Sequence, residues 1–227
     1  MGERCSCTDA LRDTGLRKFS LPFDWIGLEY ADNDVSGGLF TKCRLLIQNC
    51  DDWLNFKDFE DLDRKGDNLG VGHRCVVNKK TGLRYKHDFP LTSSIKDYWP
   101  EFTEKYNRRI KRMYSKIEKA KRILLVYDKI LKYDKISGKV SYTARHNIEP
   151  YVNTLLGILT ELKRKYPRKN FSFLIFLHDE SIAIDEYNEE RPYPNITYVY
   201  LNNKGKVNHD GNKDVVMRYL KDNIALT

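Results

Sequence analysis

The chain has 227 residues, 41% hydrophobic and 32% charged, with 40 Lys+Arg against 32 Asp+Glu for a net charge of +8. That length suits one domain, read as residues 1–227, able to bury about 70% of its unfolded surface. No apolar run approaches the ~20 residues that span a bilayer, and no apolar segment follows Met1, so neither a transmembrane helix nor a secretory signal is expected and the expected location is the cytoplasm.

The five cysteines, at 5, 7, 43, 50 and 75, are odd in number and irregular in spacing, which favours reduced thiols over a disulfide framework. Paired C-x2-C knuckles are missing, so no metal is expected. The first predicted element is a short helix over 6–14, with cap-type Thr8 and Asp9, an apolar anchor at Leu11 and a stop at Gly15. It places Cys5 at or just before a helix N-terminus. Ser20–Ile26, aromatic and Pro-containing, reads as a packed loop. After turn and cap residues over 32–38, Phe40, Cys43, Leu46 and Ile47 fall on one side of a helix over 39–48, which makes Cys43 a core thiol. Residues 71–77 and 83–89 flank a turn over Asn78–Gly82 and read as a β-hairpin with His87-Asp88 near its exit.

A long helix is predicted over 94–121, with Pro100 a candidate break because proline donates no backbone bond. Three β-branched and aromatic runs follow, at 123–127, 171–177 and 196–201. Helical patterns run through Val152, Leu155, Leu156, Leu159 and Leu162 after the first, and through Val215, Val216, Tyr219 and Leu220 after the third. Continuous apolar strands separated by helices are what a parallel sheet covered on both faces requires. The expected fold class is therefore α/β: a three-layer α/β/α sandwich with a mostly parallel sheet, elaborated by the hairpin and a helical insertion.

Nine cations between Lys105 and Arg122, including Arg108 and Arg109, are opposed only by Glu118, so that stretch accounts for the whole net charge. Phe102, Tyr106, Ile110, Met113 and Ile117 recur there at helical spacing, which gives an apolar stripe with a basic outer face. A solvated helix face is the plain reading. The functional reading is a docking surface for phosphate, nucleotide or an anionic glycan. Without a zinc finger, an RNP signature or a phosphate-cradling glycine run, nucleic acid ranks last among the partners.

Cys5 is the first candidate nucleophile, because a helix N-terminus stabilises a thiolate and offers amides to an oxyanion; Cys7 competes with it. A thiol nucleophile needs a base, normally histidine, oriented by a carboxylate or amide. His87 precedes Asp88 at a strand end, and His178 precedes Asp179 beyond an apolar run, a place where α/β sheets bind ligands. His73 falls within a predicted strand, and His146 and His209 among polar loop residues.

Gly2-Glu3-Arg4-Cys5, Leu11-Arg12, Gly15-Leu16-Arg17 and Ser20-Leu21-Pro22-Phe23-Asp24-Trp25-Ile26 together resemble the opening of a bacterial and viral family of papain-like cysteine peptidases. The similarity continues at Lys86-His87-Asp88-Phe89 and at Lys105-Tyr106-Asn107-Arg108-Arg109-Ile110, leading to Ile123-Leu124-Leu125-Val126. The resemblance implies Cys5 as nucleophile, His87 as its base and Asp88 as the nearest third member. It places Asp24 and Trp25 close to the site, with Arg108 and Arg109 as substrate-binding or site-shaping residues. For Asp24 the structural reading is a carboxylate that caps its own loop.

The implied activity is cysteine-dependent acyl transfer to water or an alcohol, as a hydrolase or acyltransferase, in a setting of cell-surface polysaccharide biosynthesis. Its substrate would be a small molecule, glycan or peptide. No cofactor is expected for a hydrolase, and coenzyme A enters only for an acyltransferase. The alternative is a noncatalytic binding protein that holds an anionic glycan or nucleotide on the basic helix 105–122. Oligomeric state is left open.

Overall fold

The computed structural model describes residues 6–28, 38–62, 72–128, 132–133, 140–141, 149–202, 204 and 213–224. In chain order the elements are α1 (Ser6–Asp13), β1 (Ile26–Leu28), α2 (Leu39–Ile47), β2 (Phe59–Asp61), β3 (His73–Asn78), β4 (Leu83–Pro90), α3 (Ile95–Lys119), β5 (Arg122–Asp128), β6 (Lys132–Tyr133), β7 (Val140–Ser141), α4 (Glu149–Lys165), β8 (Asn170–His178), β9 (Tyr187–Tyr193), β10 (Ile196–Leu201) and α5 (Lys213–Asn223). They divide between two compact units, residues 1–19 with 121–227, and residues 20–120. No helix among the described residues is long and apolar enough to cross a membrane.

In the first unit the apolar runs form a sheet of order β5-β8-β10-β9. β5, β8 and β10 are parallel, and β9 joins β10 antiparallel. Val126, Leu174, Phe176, Val199 and Leu201 line one face, where Cys7 and Ala10 of α1 and Val215, Val216, Tyr219 and Leu220 of α5 close over them. α4 packs against β8 and buries Leu155 and Leu162 completely; each such leucine contributes roughly 1.5–3 kcal/mol. α1 stops where Gly15 takes a φ of +75°. There the Gly15 N–H donates to the Arg12 carbonyl at 2.9 Å and the Arg17 N–H to that of Leu11 at 2.8 Å, satisfying the last turn. β6 and β7 pair as a separate short ribbon.

The second unit is built on the hairpin. Asn78 closes its turn: its carbonyl accepts from the Gly82 N–H at 2.8 Å, its side-chain oxygen accepts from the Thr81 N–H at 3.0 Å, and its amide donates to the Trp53 carbonyl at 2.9 Å. Gly82, at φ +69°, supplies the left-handed position that such a turn needs. β1 pairs with β4 and β2 with β3, giving the wholly antiparallel order β1-β4-β3-β2. α3 begins at an N-cap, where the Ser94 side chain accepts from the Asp97 N–H at 3.1 Å. It runs through Pro100 as one helix. Phe102 and Tyr106 pack onto Tyr85, Phe102 also stacks on Phe89 at 4.5 Å, and Tyr106 meets Trp53 edge-on. α2 buries Cys43 completely and carries a buried lysine, Lys42, whose ammonium donates to the Ile26 carbonyl at 2.9 Å.

These pairings overturn the expected three-layer α/β/α sandwich with a mostly parallel sheet. Among the described residues there are two four-stranded sheets, and one has no parallel pair. The hairpin is not an elaboration of a parallel sheet. Short strands at 26–28 and 59–61 take up its two edges, so it is the centre of a sheet of its own. Antiparallel strands need only a tight turn between them, whereas parallel ones need a crossover, and the segment 73–90 supplies the turn.

Candidate functional site

β4 does not alternate evenly. Arg74 lies opposite Phe89 and Val76 opposite Tyr85, so four steps along β4 answer two along β3. The surplus forms a bulge over Lys86, His87 and Asp88. Regular alternation from buried Leu83 and Tyr85 would carry His87 inward; the bulge leaves His87 exposed and makes Asp88 and Phe89 consecutive buried residues. Bulges re-aim side chains in this way.

Asp88 is held from α3. Lys105 Nζ lies 2.7 Å from Oδ1, and the Tyr106 hydroxyl donates to Oδ2 at 3.0 Å. Burial, with the Asp88 charge beside it, pushes the Tyr106 phenol well above its usual value, so it remains a donor. Both carboxylate oxygens are thus engaged by the helix, and Asp88 acts on His87 through its charge. His87 is held below the ordinary histidine value, first by desolvation, with His73 and Lys86 adding to the shift and Asp88 opposing it. Its imidazole is therefore neutral at physiological pH, the state that can accept a proton. Trp25 meets it edge-on at 6.3 Å, and the His73 ring stands 6.4 Å away.

Trp25 sits at φ +66°, a left-handed conformation that is an outlier for a bulky residue. The loop before it is fastened by Asp24, whose buried carboxylate accepts the Leu21 N–H at 2.8 Å. Arg112 of α3 donates to the Ser20 carbonyl at 3.0 Å. Asp24 thus caps its own loop immediately before Trp25.

Trp25, His87, Asp88, Lys105 and Arg109 line an open cleft of about 330 Å3. The guanidinium of Arg109 lies 5.4 Å from the Tyr106 ring centroid, within reach of a cation–π contact. Arg108 does not line the cleft; it pairs with Glu104 at 3.2 Å on the exposed side of the helix. The structure therefore brings together Trp25, His87, Asp88 and Arg109 and separates Arg108 from them. Lys105 and Tyr106, which the sequence offers only as part of a longer motif, belong to the same arrangement: Lys105 lines the cleft and Tyr106 holds Asp88. Helical spacing holds the signal, since Lys105 and Arg109 are four residues apart and flank the core position Tyr106.

Cys5 lies outside the described residues, as do Gly2, Glu3, Arg4, His146, His209 and nearly all of the expected turn at 32–38. Cys7, its competitor, is a core thiol 3.7 Å from the Val126 carbonyl. Cys43, Cys50 and Cys75 are also reduced and buried. Burial pushes the Cys43 thiol up to about 12. None of these four can act as an exposed thiolate. His178 is buried and brought down to about 4, chiefly by desolvation.

No family model matches the chain. No solved structure matches it. It is 25% identical to an uncharacterized protein of Acanthamoeba polyphaga mimivirus over 221 residues, covering 90% of this chain and 88% of the viral protein.

Proposed function

We propose that the chain is a cysteine-dependent acyl-transfer enzyme with Cys5 as nucleophile and His87 as general base. The observation that carries this reading is the bulge in β4. It turns a histidine held neutral at physiological pH out beside a cleft, in the motif whose resemblance to papain-like cysteine peptidases pairs it with Cys5. In the first step His87 takes the thiol proton, sulfur attacks the acyl carbon, and the leaving group departs with that proton as the thioester forms. In the second, His87 takes a proton from water or a hydroxyl group, whose oxygen attacks the thioester, and the Cys5 thiol is restored. Asp88, fixed by Lys105 and Tyr106, stabilises by charge the imidazolium that forms within each step.

The test uses p-nitrophenyl acetate and peptide mass spectrometry of the native protein. An acetyl adduct is expected on Cys5 alone, forming about 100-fold more slowly in His87→Gln, the scale of general-base catalysis. An adduct that forms elsewhere, or at a rate indifferent to His87, contradicts the reading and leaves the cleft a binding site without chemistry.

A further inference from the structure

From the charges around the cleft we infer that it seats an oxyanion, a carboxylate or phosphate carried on a ring, with Arg109 as the anchor and Trp25 as the wall for the ring. The inference rests on the preceding reading in taking this cleft as the substrate site, but not on its chemistry. Among the described residues the Lys105 and Asp88 charges answer each other at 2.7 Å, and His87 is neutral at physiological pH. Arg109 makes no ion pair among the described residues; its contact is the Tyr106 ring. Among the described residues that line the cleft, one cationic charge is therefore left over.

A guanidinium braced on an aromatic face keeps its fork of donors directed, which suits two-point recognition of a planar or tetrahedral oxyanion better than an ammonium does. The other wall is the indole of Trp25, held by a loop tied at Asp24 and Arg112. An aromatic wall beside a single cation suits a group with one apolar face and one anionic substituent. The space is at the small end of ligand pockets, roughly 300–1,000 Å3, and so favours a unit the size of one sugar ring over a polymer segment. The neighbouring cations are engaged elsewhere, Arg108 with Glu104 and Arg112 with the Ser20 carbonyl.

Isothermal titration calorimetry on the full chain carrying Cys5→Ser tests this without turnover, using glucuronate, glucose 1-phosphate, inorganic phosphate and glucose as probes. At least one ring-borne oxyanion is expected to bind and glucose not to bind; which of the two binds more tightly identifies carboxylate or phosphate as the natural group. Arg109→Met is expected to weaken binding roughly 10- to 100-fold, the value of a hydrogen-bonded charge, and Arg109→Lys by less, because charge remains and the fork is lost. Arg108→Met should stay within about twofold, as expected of an exposed pair. Trp25→Asn, a side chain that tolerates the left-handed backbone, should weaken the ring-borne probes towards inorganic phosphate. Equal losses in the Arg108 and Arg109 variants would show diffuse attraction to a basic face and overturn the inference, as would glucose binding as well as glucuronate or no heat from any probe. A protein whose Cys5 proves inert but which binds in this pattern loses the catalytic reading alone; one that forms the Cys5 adduct without binding these probes loses this inference alone.

Discussion

The His-Asp pairs at 87–88 and 178–179 are the same two residues put to opposite uses. In the unit built on the parallel strands, β8 runs straight to its end, so His178 is buried and its imidazole falls to about 4. Asp179 accepts the Ser181 N–H at 2.9 Å and its hydroxyl at 2.6 Å, and its own N–H donates to the Leu201 carbonyl at 3.0 Å. That pair closes a turn. In the antiparallel unit the bulge in β4 exposes the histidine and buries the carboxylate against α3. The identity of a dipeptide thus says little about acid–base capacity; strand register decides which of the two residues meets solvent.

The largest expected effect lies at His178. Its folded value is lowered, so the unfolded chain binds more protons between about pH 6.5 and 4, and stability is full above that window and lost as pH falls through it. The loss attributable to this group is about 3 kcal/mol across the window. Urea unfolding followed by far-UV circular dichroism should show that part of the acid slope disappearing in His178→Asn and largely surviving in His87→Asn. A slope indifferent to His178 would break the comparison.

Next comes Asp88→Ala, expected to cost about 2 kcal/mol, because the buried Tyr106 hydroxyl loses its acceptor while partly exposed Lys105 regains water. All three tryptophans, 25, 53 and 99, belong to residues 20–120, so intrinsic fluorescence reports this loss. Tyr106→Phe, which removes the hydroxyl alone, is expected to cost about 1 kcal/mol. Asp88→Asn should lower the His87 titration midpoint further, since the Asp88 charge now raises it; proton NMR of the imidazole reads the direction. Smallest of all, Arg108→Ala should change stability by under about 0.5 kcal/mol, because its pair with Glu104 is exposed.

Much of the local structure was legible in the sequence for reasons that survive folding. Asn78 and Gly82 marked the hairpin turn because one side chain and one left-handed position make it, and the apolar runs of β5, β8 and β10 stood out because those strands are largely buried. β9 escaped because Tyr187–Tyr193 is an exposed, charged strand with no apolar alternation to read, the composition that keeps a sheet edge from pairing further. Pro100 was a candidate break, yet α3 is continuous there, with Trp99 and Phe102 on either side packed against Phe59. The antiparallel sheet is not legible in the sequence, because the partners of the hairpin, at 26–28 and 59–61, are too short to announce themselves and pair at long range. In the candidate site, the motifs marked His87, Asp88 and Trp25, and helical spacing sets Arg109 with Lys105 and Arg108 with Glu104; the bulge exists only in three dimensions.

The pairing of Cys5 with His87 is tested most directly by the pH dependence of iodoacetamide alkylation at each cysteine, read by peptide mass spectrometry on the native protein and on His87→Gln. Buried Cys7, Cys43, Cys50 and Cys75 are expected to stay unlabelled until unfolding. Cys5 should react with an apparent pKa below the ordinary thiol value of about 8.5 and return towards it without His87. A Cys5 that titrates like an ordinary thiol in both proteins would contradict the pairing.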